Sequence, residues 1–175
     1  MRRHLIVGMG EIGTAYFKIL SQNPDNEVLS YDKKDGDFEA RRFGPKSIDV
    51  LHICTPFING FVEVMGGIAY MTQAKLINCM TTVVPGTTQR LGPNACHSTT
   101  RIMHSPARIE TAMEFIRTIP KHIGGQRARE LACIFEAVGV ECICEARPEV
   151  TELAPILNNI EYGLLSAFTD QKWPI

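Results

Sequence analysis

No apolar run in this 175-residue chain approaches the roughly 20 residues that a membrane span requires. The apolar stretch behind Met1-Arg2-Arg3-His4, from Leu5 to Gly8, is too short for the core of a signal peptide. The expected compartment is therefore the cytoplasm. Charge of one sign is equally scarce. Eighteen Lys and Arg face 19 Asp and Glu, a formal net charge of −1, which leaves no electrostatic footprint for nucleic acid or an anionic membrane. Internal repeats and low-complexity tracts are missing as well, and the length accommodates one substantial core. Six cysteines (54, 79, 96, 133, 142 and 144) are present. Four lie in apolar runs and read as reduced core residues. Cys142 and Cys144 share one strand face without a second Cys/His pair at zinc-ligand spacing, so no metal site is expected.

What the chain does have is alternation. A short apolar run, His4 to Gly8, leads through glycines into an amphipathic helix, Glu11 to Ser21, with Ile12, Ala15, Tyr16, Ile19 and Leu20 on one face. Asn23-Pro24-Asp25-Asn26 breaks it, and Glu27 to Asp32 reads as a second strand. Further strands are expected at Asp49–Cys54, Lys75–Cys79, Arg101–His104, Lys121–Gly125 and Glu141–Cys144. Helices are expected at Phe61–Met71, from Gly86 to Leu91, from Gln126 to Val138, and between Pro148 and Thr169. The stretch from Lys33 to Ile48 is too short for a full helical crossover. Strand-helix alternation predicts an α/β fold with a parallel sheet covered on both faces. Residues 1–147 form the main domain and 148–175 a long C-terminal helix.

The first turn carries the chemistry. Gly8-Met9-Gly10-Glu11-Ile12-Gly13 follows a strand and opens a helix. Gly8 allows a tight turn, Gly10 lets backbone approach a pyrophosphate, and Gly13 permits close helix-strand packing. The diphosphate would rest on the helix N-terminus, where unpaired N–H groups and the helix dipole attract anions. Asp32 lies 19 positions beyond Gly13, at the end of the second strand. There a carboxylate accepts hydrogen bonds from ribose hydroxyls and repels a 2′-phosphate. This points to a Rossmann-type, doubly wound domain holding NAD; the neighbouring Lys33 and Lys34 soften the bias against NADP. A Rossmann fold with no ligand in its cleft is the competing reading.

Several ordered blocks resemble the UDP-glucose/GDP-mannose dehydrogenase family. They are Val7 to Gly13, Tyr31-Asp32, Ile53-Cys54-Thr55-Pro56, Thr81 to Thr88, His104-Ser105-Pro106-Ala107-Arg108, Ile123-Gly124-Gly125, and Glu152 to Asn159. The resemblance implies an NAD-holding N-terminal domain of enzymes that oxidise the C6 alcohol of a nucleotide sugar to a carboxylate through a cysteine thioester. Gly8, Gly10, Gly13 and Asp32 match cofactor positions, and Thr55 and Thr82 match positions facing the nicotinamide. Met9, Glu11, Ile12, Lys33 and Pro56 complete the expected cofactor set. Thr82 and Asn159 are the candidate catalytic residues.

Three departures bear on chemistry. Ala107 stands where the family has a glutamate, and Pro155 where it has a lysine that stabilises developing negative charge. No cysteine of the given sequence, which runs to Ile175, matches the family's nucleophile. Losing one acid-base or electrostatic group commonly costs about 10² to 10⁴ in rate. The resemblance therefore implies a cofactor-binding chain that does not complete the alcohol-to-acid oxidation alone. The alternative is an active NAD-dependent oxidoreductase whose pocket a dimer mate or partner completes.

Other polar residues have plainer readings. Asn158 and Asn159 position substrate and water in the family, or are surface and packing groups here. His97, in a polar and loop-like stretch, and His104 read as solvated or hydrogen-bonded. Pro155 kinks the last helix or sits in its first turn, with Thr151 or Glu152 near the cap. Leu157, Ile160, Leu164, Leu165 and Phe168 recur at helical spacing, a stripe for a homodimer, as the resemblance implies, or for packing back on the sheet.

Overall fold

The computed structural model describes residues 1–44, 47–99 and 109–170. The amino-terminal half runs β1 (Arg2–Val7), α1 (Glu11–Leu20), β2 (Asn26–Tyr31), β3 (Val50–Ile53), α2 (Phe61–Met71), β4 (Leu76–Cys79) and α3 (Thr87–Leu91). The remainder runs β5 (Ala95–Thr99), α4 (Ile109–Thr118), β6 (Lys121–Gly124), α5 (Ala128–Glu136), β7 (Cys142–Glu145) and α6 (Pro148–Asp170). The chain is an α/β protein of Rossmann type. The seven strands among the described residues form one sheet in the order β2-β1-β3-β4-β5-β6-β7.

Strand alternation divides the core into two layers. Ile6 points to one face, where Ala15, Tyr16, Ile19 and Leu20 of α1 meet Leu131 and Phe135 of α5. Leu5 and Val7 point to the other, against Phe61, Met65 and Ile68 of α2. Every residue of β3 and β4 is buried, as expected for central parallel strands covered on both sides. Among the described residues between β2 and β3, two 3₁₀ turns occur, Lys33–Asp35 and Ala40–Phe43. The chain thus returns past β1 without building an outer strand. Strand order reverses between β1 and β3, the position where open α/β sheets form their ligand crevice.

Two features differ from expectation. The sheet is not wholly parallel, because β6 runs antiparallel to β5, with Thr99 opposite His122. Between the two strands stands α4, a helix that the residue pattern did not suggest; it packs against α1, and the antiparallel pairing starts β6 at the sheet's carboxyl edge. The fifth strand is Ala95–Thr99, upstream of the expected Arg101–His104, which lies outside the described residues.

A polar ladder crosses the α1/α5 face. Ser98 Oγ donates to Asn78 Oδ1 at 2.7 Å, Asn78 Nδ2 to His52 Nδ1 at 3.0 Å, and His52 Nε2 to His4 Nδ1 at 3.0 Å. His4 Nε2 then donates to Asn26 Oδ1 at 3.3 Å. Each ring has one donor and one acceptor, so both histidines are satisfied as neutral imidazoles. His4, His52, Asn78 and Ser98 are all fully buried.

Candidate functional site

The glycine turn between β1 and α1 is built by contacts that exclude side chains. Gly8 has φ +94°, and a Cβ there would lie 2.8 Å from the Cys54 carbonyl oxygen. A Cβ on Gly13 would lie 1.9 Å from the Gly8 carbonyl oxygen, so α1 can approach β1 this closely only with glycine there. Around Gly10 a Cβ would meet nothing within 4 Å; that face is open. Gly10 is the N-cap of α1 and has no side chain to cap it, and among the described residues no side-chain cap bond is made there. The amides that begin α1 therefore face the cleft, where unpaired N–H groups suit an anion.

Asp32, at the end of β2, closes one side. Its Oδ2 accepts from the Met9 amide at 2.7 Å and its Oδ1 from the Lys34 amide at 3.1 Å. The Asp35 carboxylate accepts from the Asp32 amide at 3.0 Å, completing a capping box. The bonds from Met9 and Lys34 hold the Asp32 carboxyl below the usual carboxylate range. Each oxygen retains a lone pair for a ligand hydroxyl.

A cleft of about 1280 Å³ runs along the carboxyl edge from this corner, larger than the about 300–1,000 Å³ typical of small-molecule sites. Met9, Gly10, Glu11 and Ile12 line it beside Gly8; Asp32 and Lys33 line one end, and Thr55, Pro56 and Thr82 the other. Gly13 lies behind Gly8 and does not line the cleft. Asn159, on the exposed part of α6, is not among the lining residues.

The residue pattern missed much of the apolar wall. Phe38, Phe57, Ile58, Ile68 and Met71 line the cleft, as do Met80 and Thr81. The last two directly follow β4, and their position at a strand's carboxyl end was the available signal. Cys54 also lines the cleft, but burial pushes its thiol up to about 12, which makes it a poor nucleophile near neutral pH. Lys121 begins β6 at the same edge and is buried. Its Nζ donates to Tyr16 Oη at 2.6 Å and sits 4.5 Å from that ring's centroid. Burial lowers this amine to about 7.

His97 is not in a loop: it lies on β5, buried, with Nε2 3.0 Å from the Thr81 carbonyl oxygen to which it donates. The Thr81 hydroxyl in turn donates to the Thr55 carbonyl at 2.7 Å, tying β3 to β4 across the cleft floor. His104, Ala107 and Arg108 lie outside the described residues. Pro155 lies in the interior of α6 and not in its first turn; Pro148 takes the first position, which makes Thr151 and Glu152 the fourth and fifth residues of the helix and not its cap. Cys133, expected in the core, is exposed on α5, and all six cysteines are free. Among the described residues no group of three His, Cys, Asp or Glu is placed to hold a metal, and no helix is long and apolar enough to cross a membrane.

No known family matches the sequence, and no curated protein resembles it closely enough to count as a match. Solved structures do resemble it. Prephenate dehydrogenase from A. aeolicus, in complex with hydroxyphenyl propionate and NAD+, superposes with a TM-score of 0.69 at 14% identity, over 99% of this chain and 71% of that one. An imine reductase from Bacillus cereus gives 0.70 at 10% identity, over 97% and 64%. A UDP-glucose dehydrogenase from Pyrobaculum islandicum gives 0.64 at 16%, over 91% and 49%. The likeness is one of fold. This chain spans about half to three quarters of these dehydrogenases and reductases, and the nucleotide-sugar enzyme is one among several.

Proposed function

We propose that the chain binds a dinucleotide, NAD, along the carboxyl edge of its sheet. The observation that carries this reading is the uncapped start of α1 above an open Gly10, with the Asp32 carboxylate fixed beside it. The turn from Gly8 would hold the pyrophosphate, with Gly10, Glu11 and Ile12 supplying backbone amides, while the Met9 amide holds Asp32 and Gly13 lets the helix start lie close behind. Asp32 would hold the adenosine ribose and disfavour a 2′-phosphate, with Lys33 beside it. The other half of the ligand would pass Thr55 and Pro56 toward Thr82. That the structures of like fold include an NAD+ complex supports the same choice.

Bound NAD would supply a hydride acceptor; the chain's own residues bind and orient it. Among these residues Thr82 is the candidate for contact at the reacting end. Asn159 could join only from a neighbouring surface, because it does not line this cleft. The reading is that of a cytoplasmic cofactor-binding protein that does not carry out the full alcohol-to-acid oxidation of a nucleotide sugar by itself. A second reading, an oxidoreductase for a sugar or small alcohol completed by another subunit, is favoured by α6. Val150, Leu153, Leu157, Ile160 and Leu164 follow one another at spacings of 3, 4, 3 and 4 and are all 43–56% exposed. That spacing is the seam of a helix pair, and a second copy of α6 would suit it.

Titration with NADH and NADPH, followed by nicotinamide fluorescence, tests the proposal. Micromolar binding of NADH, weaker binding of NADPH, and loss of that preference in Asp32→Asn are expected. No binding of either cofactor at millimolar concentration would overturn it.

A further inference from the structure

The strand ends β2, β1, β3 and β4 place Asp32, Gly8, Thr55 and Thr82 in a row. Three strand spacings, about 14 Å, separate the ribose carboxylate from the far wall. On the dinucleotide reading, Met80, Thr81 and Thr82 are the wall at the nicotinamide end. What fixes that wall lies outside the cleft.

The chain leaves Thr82 through buried Val83 and turns at Gly86, which has φ +90°. Two amides of this turn point at one side chain. Gly86 N donates to Glu152 Oε2 at 2.6 Å, and Thr88 N donates to Glu152 Oε1 at 2.7 Å. Glu152 is the fifth residue of α6 and is fully buried. The hydroxyl of its neighbour Thr151 lies 2.8 Å from the Pro148 carbonyl and 3.2 Å from the His97 carbonyl, which share its single proton, and His97 meets Thr81 through its ring. α6 therefore holds the turn that follows Thr82 through Glu152, and Thr151 places the same helix against His97.

We propose that Glu152 is a positioning residue for the cofactor site: by clamping the Gly86–Thr88 turn it sets the wall against which the nicotinamide half rests. The proposal rests on the dinucleotide reading and gives α6 a part in cofactor affinity. A glutamine cannot replace the carboxylate, because its amide group would present donors to one of the two backbone N–H groups. A merely structural role would weaken every ligand together through loss of folded protein. A positioning role separates ligands by how far they reach.

The test is calorimetry of wild type and Glu152→Gln with NADH and with ADP-ribose, which lacks the nicotinamide. Ile134→Ala, a core truncation on α5 away from the cleft, is the stability control. NADH affinity is expected to fall about tenfold, the equivalent of one net hydrogen bond, with ADP-ribose affinity unchanged in the same variant and both unchanged in the control. Equal losses for the two ligands, or no loss for NADH, would overturn the proposal. If Glu152→Gln does not fold, Glu152→Asp, which keeps both acceptor oxygens one methylene short, is read by the same criteria. A wild-type chain that binds neither ligand overturns the dinucleotide reading itself, and this proposal with it.

Discussion

Acid should destabilise this fold earlier than its carboxylates require. Burial lowers His4 from 6.5 to about 4 and places His52 well below its usual value. Below pH 6.5 the unfolded chain takes up protons at these positions and the folded chain does not, so stability falls as pH falls. For His4 the loss is fully developed at about pH 4 and amounts to roughly 3 kcal/mol, a large share of the about 5–15 kcal/mol that holds a domain together. Roughly half of it falls between pH 6.5 and pH 5. His52 adds to the loss with the same sign. The ladder explains why the folded state resists: a proton on His4 Nδ1 would face the N–H of His52, and relief would require both His52 and Asn78 to reverse their hydrogen bonds. Asp32 and Asp49, both held below 3.8, lose their contribution only as pH falls below that value, outside this window. Urea unfolding at intervals from pH 7.5 to pH 4.5 measures the slope. His4→Gln should be less stable at pH 7.5 by about 1–2 kcal/mol yet lose visibly less between pH 6.5 and pH 5. A variant with the wild-type slope would refute the assignment of that loss to His4.

Further outcomes follow from the same geometry. Gly13→Ala forces a Cβ against the Gly8 carbonyl and should lower the melting temperature and abolish NADH binding. Gly10→Ala meets no protein atom and should weaken NADH at least tenfold with the melting temperature nearly unchanged; a fall in stability alone would speak against phosphate contact there. Leu157→Glu, at a position 54% exposed, should leave the monomer's stability within about 0.5 kcal/mol and shift light-scattering mass from dimer to monomer if α6 is the seam. Maleimide labelling of the native protein at pH 7.5 should modify the exposed Cys133 and Cys144 and spare Cys54, Cys79 and Cys96, whose thiols burial pushes up to about 12, 12 and 11; rapid labelling of Cys54 would show that the cleft wall opens.

Local chemistry was the legible part of this chain. Gly8, Gly10 and Gly13 can be told apart in the sequence because each constraint, a left-handed φ, an open approach and a tight packing contact, acts within a few residues. The short Lys33–Ile48 connection likewise limits itself, since so few residues cannot form a helical crossover with its loops. Helix α4 was less visible. Its backbone follows directly on Ser105-Pro106-Ala107-Arg108, and a proline-containing block beside a strand-like Arg101–His104 reads as a loop rather than a helix entry. With α4 unseen, the reversal of β6 could not be foreseen, because strand direction depends on what crosses the sheet before it.

Long-range pairing accounts for the rest. Glu152 reads locally as a residue near the cap of α6, and only the fold reveals that its partners are the amides of Gly86 and Thr88, more than 60 positions earlier. His97 looks like a polar residue in a polar stretch, yet it is a strand residue whose side chain supports Thr81. In both cases a group with ordinary sequence surroundings is buried because its partner comes from another element, and burial then makes that partner obligatory. The open polar groups are the complement: among the described residues no side-chain cap is made at the start of α1. In a protein that satisfies His4, His52, Asn78 and Ser98 in one continuous ladder, an uncapped helix start facing a large cleft is, on the proposed reading, where a ligand rather than another side chain would complete the hydrogen bonding.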